Sequence, residues 1–170
     1  MAEIQSSTQL SSQYHAVKDQ LAQACTISGR ETQDVQLLAV SKRHSVESIK
    51  HIYSLGQKAF GENYVQEGVE KAIELSDLNI NWHFIGPLQS NKSKSVAEHF
   101  HWVHTIDREK IAKRLNEQRP AGMSKLNVLI QVNVSGQTSK SGITLEQVPA
   151  MAKYISSLEQ LTLRGLMCIP

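Results

Sequence analysis

Apolar residues recur along the chain in two alternating patterns, short unbroken runs and stripes at helical spacing. Leu10, Tyr14, Val17, Leu21 and Ala24 stand 4, 3, 4 and 3 residues apart. That spacing predicts an amphipathic helix, with Gly29 as its stop signal. The run from Gln36 to Val40 (QLLAV) reads as a buried strand. Val46, Ile49, Ile52 and Tyr53 return to helical spacing, closed by Gly56. Lys58 to Phe60 predicts a second strand, and Val65, Val69, Ala72 and Ile73 a further helix. Trp82 to Ile85 and Trp102 to Thr105 are strands three and four. Asp107 is placed to cap a helix carrying Ile111 and Leu115. Leu126 to Val134 (LNVLIQVNV) predicts the fifth strand. Thr144-x-x-Gln147 has the form of a capping box before Val148, Met151, Ala152 and Ile155, and Leu161 to Met167 is the sixth strand.

Such alternation of strand and helix predicts a parallel sheet covered by helices. An open doubly wound sheet and a (β/α)8 barrel both fit it. A barrel takes ~200 residues or more, and this chain of 170 residues has six units. A (β/α)8 TIM-type barrel would therefore stop after about six β/α units. The ending directly after a strand, at Cys168-Ile169-Pro170, is expected to be a cut and not a natural terminus. We expect one α/β domain over residues 1–170, with a helix at about 7–28 packed outside the barrel.

Composition narrows the functional classes. Eighteen Lys+Arg against 16 Asp+Glu give a formal charge of +2, with no electrostatic footprint for nucleic acid or anionic lipid. No apolar run approaches the ~20 residues of a membrane span. The amino-terminal residues lack a basic segment followed by an apolar one, so a cytoplasmic location is expected. Cys25 and Cys168 are far apart, which disfavours a disulfide framework and a cysteine-based zinc site. Asn91 and Asn133 match the glycosylation pattern by chance.

Ligands of parallel α/β sheets bind at the carboxyl ends of the strands, so the residues after each strand carry the chemistry. They are Ser41-Lys42-Arg43, Gly61-Glu62-Asn63-Tyr64, Gly86-Pro87 through Lys92, Asp107, and Ser135 through Gly142. Lys42 ends an apolar strand, where a packed stem and desolvation would lower its amine pKa and allow Schiff-base formation with an aldehyde. From position alone, a solvated lysine at a strand–helix junction is the favoured reading. Asn63 is placed either to donate to a ligand oxygen or to cap the helix near Tyr64. Gly136 to Ser141 is not a nucleotide-binding loop, because Ser139 and Val134 stand where that motif needs glycine. His99, His101 and His104 lack a metal-site pattern, since strand alternation separates the last two and no cysteine or carboxylate cluster joins them. Lys92 and Lys94 read as a solvated basic turn, and Trp82 and Trp102 as core residues. No Ser/His/Asp arrangement is present.

Five segments together resemble the pyridoxal phosphate homeostasis proteins (YggS/PROSC type). They are L-A-V-S-K ending at Lys42, F-G-E-N-Y-V-Q-E from Phe60 to Glu67, and W-H-F-I-G-P-L-Q-S-N-K from Trp82 to Lys92. The others are Q-V-N-V-S from Gln131 with S-K-S-G from Ser139, and G-L-M ending at Met167. The resemblance runs from about residue 7 to the end. It implies a barrel similar to the amino-terminal domain of alanine racemase. It implies pyridoxal 5′-phosphate held as a Schiff base on Lys42, with Asn63 beside the cofactor ring and no metal. It further implies a carrier or regulator of vitamin B6 supply, without established catalysis, whose partners are the cofactor and apo forms of enzymes that use it. Lys140 matches a lysine common to the family and is given no role. In the family a further stretch follows G-L-M, with Met-Ser-x-Asp and Arg-x-Gly-Ser/Thr segments that would hold the phosphate. Without them affinity is expected to fall, because charge-assisted phosphate contacts are strong. A complete chain is expected to be a monomer and an incomplete one to associate. Arg43-His44 departs from the family's usual Thr and nearby Pro. An amino-acid racemase using the same cofactor and a lysine Schiff-base aldolase are the alternative readings.

Overall fold

A computed structural model describes residues 7–137 and 140–169. Its elements run α1 (Ser7–Ile27), β1 (Ala39–Val40), α2 (Val46–Ser54), β2 (Ala59–Glu62), α3 (Val65–Glu74) and β3 (Asn81–Phe84). They continue with α4 (Ser93–His99), β4 (Trp102–Ile106), α5 (Glu109–Gln118), β5 (Leu126–Gln131), α6 (Val148–Ser156) and β6 (Leu161–Met167). All five strand pairings are parallel and the spatial order is the sequence order, β1 to β6.

That order decides between the two candidate architectures. Right-handed crossovers that always step in the same direction put every helix on the same face of the sheet. A doubly wound sheet reverses direction and covers both faces. Here α1 packs against α2, and α3, α4, α5 and α6 pack in succession, and one apolar cluster joins them to the sheet. The chain therefore has the TIM-barrel-like α/β fold, with a helix-covered face and an inner face. Among the described residues β1 and β6 are the sheet edges.

Register and alternation assign the faces. Phe60 and Trp82 stand abreast, as do Phe84 and Val103. With Ile106, Val128 and Ile130 they are buried beneath Ile49, Leu75, Val96, Ile111, Leu115 and Ile155 of the helices. The alternate positions Val40, Gly61, His83, Trp102 and Asn127 stand abreast on the inner face.

Local chemistry sets several boundaries. Ser45 caps α2 by accepting from the Ser48 amide at 3.2 Å. Thr144 and Gln147 form the expected capping box, entering α6 through a 3-10 turn at Leu145–Gln147. Asp107 does not cap α5: Arg108 holds the cap position and Asp107 accepts from its guanidinium at 3.0 Å. The expected basic turn at Lys92–Lys94 is a 3-10 turn running into α4. Its hidden anchor is Ser93, fully buried, which donates to Ser90 O at 2.8 Å and to Gln118 at 2.7 Å. The Arg119 guanidinium then donates to the Ala97 and Phe100 carbonyls that α4 leaves open. β5 stops at Gln131, short of Val134, because the chain loops back and Ile143 bridges Val132.

Gly68 lies in the interior of α3, where alanine would ordinarily stabilise a helix by up to about 1 kcal/mol. A Cβ there would meet Phe100 Cζ at 2.6 Å and Glu62 Cβ at 3.0 Å. Gly68→Ala is accordingly expected to destabilise the chain by about 1–3 kcal/mol. Urea unfolding checks the sign, and a stabilised variant would contradict this packing.

Candidate functional site

The carboxyl ends of the six parallel strands form one rim. Ladder hydrogen bonds continue past the strands there: Ser41 N–H donates to Gly61 O at 2.9 Å and Ile85 N–H to Glu62 O at 2.9 Å. Lys42 and Asn63 therefore leave neighbouring strands at the same level. Lys42 lies in the turn just past β1 and Asn63 in the bend just past β2, both beyond the level of Gly61, where a Cβ would touch Ile85 and Leu38.

Lys42 is exposed, and the packed, desolvated stem expected for it is not found. β1 has only two residues and lies at a sheet edge, with Val40 itself 45% exposed. Among the described residues no strand pairs with β1 on that side. What is fixed is the backbone around it. Ser41 is buried; its Oγ donates to Glu62 Oε1 at 2.7 Å. The Arg43 N–H donates to Glu67 Oε1. Arg43 has φ 63°, the left-handed region that a side chain adopts at a cost of about 1–2 kcal/mol.

Both carboxylates meet at Lys71 of α3. Its buried ammonium donates to Ser41 O at 2.8 Å, Glu62 Oε1 at 2.9 Å and Glu67 Oε1 at 2.7 Å. All three of its protons have acceptors, as a buried ammonium requires. Burial works to raise the Glu67 carboxyl. The Lys71 hydrogen bond, the Arg43 amide and the charges of both residues outweigh it and hold the carboxyl below its ordinary range. Removing one member of such a buried set leaves an uncompensated charge and costs about 3–5 kcal/mol. Motif reading gave these residues no role.

Asn63 caps nothing: Tyr64 holds the cap position of α3 and makes no side-chain cap bond. Its Oδ1 is buried and, among the described residues, has no hydrogen-bond partner. Its backbone is packed so closely on Gly86 that a Cβ there would fall on the Asn63 carbonyl oxygen and 2.8 Å from its Cα. Asn63 borders a cavity of about 620 Å³ shared with Leu88, Gln89, Lys92 and Arg108. A neighbouring cavity of about 230 Å³ is bounded by Ile85, Thr105, Gln131, Asn133, Lys140 and Ser141. There Thr105 Oγ1 donates to Gly86 O at 2.7 Å and Asn133 Nδ2 to Gln137 O at 2.7 Å. These groups brace the rim loops. A third cavity, about 250 Å³ and largely apolar, lies between α1 and β1–α2 and offers no amine.

The inner face below the rim carries an aromatic floor. His83 Nδ1 and His104 Nε2 are 2.9 Å apart. His83 stacks on Trp102 at 5.2 Å between centroids, and the Arg164 guanidinium lies 5.7 Å from that ring. Trp82 is core as expected, whereas Trp102 is a half-buried inner-face platform. His101 Nδ1 instead accepts from the Trp82 amide at 3.0 Å. Among the described residues no group of three or more His, Cys, Asp or Glu is placed to hold a metal ion. Nor is any helix long and apolar enough to cross a membrane. Both cysteines are free, Cys25 buried and Cys168 exposed. The arrangement as a whole offers an accessible primary amine on a braced backbone, an orphaned amide oxygen one strand away, and cavities at the same rim.

Comparison with known proteins adds a context. Residues 13–170 match the family profile "Alanine racemase, N-terminal domain". The chain is 62% identical over 146 residues to a Vibrio alginolyticus protein named pyridoxal phosphate homeostasis protein, covering 84% of this chain and 63% of that one. A protein of the same name from Pseudomonas aeruginosa is 53% identical, with 91% and 67% covered. The chain thus spans about two thirds of the length of these relatives. Among solved structures, PipY of Synechococcus elongatus PCC7942 with PLP bound has a TM-score of 0.75 and 35% identity, covering 88% of this chain and 70% of that one.

Burial, then the proximity of His104 and His101, pushes the His83 pKa down from 6.5 to about 3. A histidine that stays neutral when folded but takes a proton near 6.5 when unfolded lends stability above pH 6.5 and loses it as the pH falls. The unfolding free energy should therefore decline on acidification below pH 6.5, by up to about 1.4 kcal/mol per unit from this group. Chemical denaturation across that range checks it. His83→Phe, which can still stack on Trp102, should flatten the slope.

Proposed function

We propose, from the premise that the chain belongs to the alanine racemase N-terminal domain family and stands among the pyridoxal phosphate homeostasis proteins, that it binds pyridoxal 5′-phosphate and passes it on. In this reading the chain holds the cofactor as a Schiff base on Lys42, works in the cytoplasm, and delivers its load to apo enzymes that need it. The observation that carries the reading is Lys42 itself, an accessible amine at the carboxyl end of β1 with its backbone held on both sides.

The residues present fit an aldehyde cofactor of this kind. When bound, it supplies an aldehyde that a primary amine can capture reversibly. Lys42 would hold the group through its free amine, which would condense with the aldehyde with loss of one water. The buried Asn63 Oδ1 has an unused acceptor position, so its satisfaction by a ligand donor would offset its desolvation. The contact with Gly86 is made by the Asn63 backbone and fixes the position from which the side chain extends. Lys140 contributes a cation at the edge of the neighbouring cavity, without a defined contact.

Mixing the chain with pyridoxal 5′-phosphate should give an absorbance band near ~420 nm, characteristic of this cofactor's imines. Borohydride reduction followed by peptide mapping should place the adduct on Lys42, and Lys42→Ala should remove it from that peptide. An adduct confined to another lysine in the unaltered chain would overturn the assignment. The loaded chain should exchange no α-hydrogen of added amino acids at enzymatic rates, which separates a carrier from a racemase.

Asn63→Ala should keep the band but weaken binding about tenfold, the ~1.4 kcal/mol of one hydrogen bond. Titration of the absorbance measures it.

A further inference from the structure

Lys42 stands between two residues that are tied down by three side chains linked to one another. Glu62 accepts from Ser41 Oγ, Lys71 donates to the Ser41 carbonyl, and Glu67 accepts from the Arg43 amide. Lys71 then links the two carboxylates. The strand β2, the helix α3 and the turn after β1 are joined at this point, with Glu62 fully buried, Lys71 7% exposed and Glu67 reaching the surface.

We infer that Glu62, Lys71 and Glu67 are positioning residues for Lys42, a buried ionic clamp that sets where its amine meets the cofactor aldehyde. The inference rests on the assignment of Lys42 above. Stability alone gives a weak reason for such a clamp, because well-packed apolar residues in place of a buried ion set are often as stable or more so. What apolar residues could not do is hold the Ser41 carbonyl and the Arg43 amide at once. The left-handed backbone of Arg43 is the kind of strain that persists only where the surroundings over-determine it. A lysine amine rides on four rotatable bonds, so fixing its backbone direction removes much of the search for a productive approach. Lys71 itself is kept out of the chemistry, since its three protons are all engaged and its ammonium is buried.

The test measures cofactor affinity from the imine band and maps the borohydride-trapped adduct, on variants whose far-UV circular dichroism matches the unaltered chain. Glu67→Gln keeps the shape and removes a charge that is partly exposed, so it is the variant best able to fold. It should weaken imine formation about tenfold or more, as a small misplacement of a reacting group does. Arg43→Pro, which has no amide proton and cannot adopt a positive φ, should weaken it similarly and decides the matter if Glu67→Gln does not fold. Lys71→Met should lose affinity, and Lys71→Arg, which keeps the cation, should recover part of it. A purely structural role would lower the melting temperature of these variants and leave the affinity of the folded protein unchanged; that result would overturn the inference. An unaltered chain with no adduct on Lys42 would instead overturn the assignment beneath it, and the clamp with it.

Discussion

Five crossovers that all return on the same side impose the rest of this architecture. They load every helix onto one face of the sheet and leave the other face to a file of alternate residues. They also bring every strand's carboxyl end to one rim. The polar residues that terminate the strands have nowhere else to gather. Lys42 and Asn63 become neighbours because their strands are neighbours, although 20 residues separate β1 from β2 along the aligned positions Val40 and Gly61.

At that rim the molecule mixes two kinds of order. The floor is aromatic and apolar, with His83 kept neutral between Trp102 and His104. The margin is ionic, with a buried ammonium satisfied by two carboxylates and a carbonyl. Glu62 Oε2 remains without a partner among the described residues, so the ionic margin is not arranged for stability alone. Its geometry is what the neighbouring turn requires.

Much of this was legible in the residues. Strand runs, helical stripes and the Thr144–Gln147 box announced their elements because each signal is local, and five ordered motifs identified the family. The misses have physical causes. α4 has little apolar stripe, and its anchor Ser93 is buried by bonds to Gln118 and Arg114 from another helix, which no local pattern encodes. Lys42 was expected to be packed, but a lysine's burial depends on neighbours that a two-residue edge strand does not have. The clamp went unread because Glu62 and Lys71 look like ordinary strand-end and helix polar residues. A faint signal exists: Lys71 falls three residues after Gly68 and four before Leu75, both buried, with Glu67 one turn earlier. A charged residue on the buried stripe of a helix calls for a partner.

The Asn63–Gly86 contact has a geometric corollary. With no room for even a methyl group between them, the corner after β2 and the corner after β3 are packed directly backbone to backbone. The second of these corners is tied in turn to β4, where Thr105 Oγ1 donates to the Gly86 carbonyl. The corner after β2, the corner after β3 and Thr105 of β4 are thereby joined in one continuous line of close contacts.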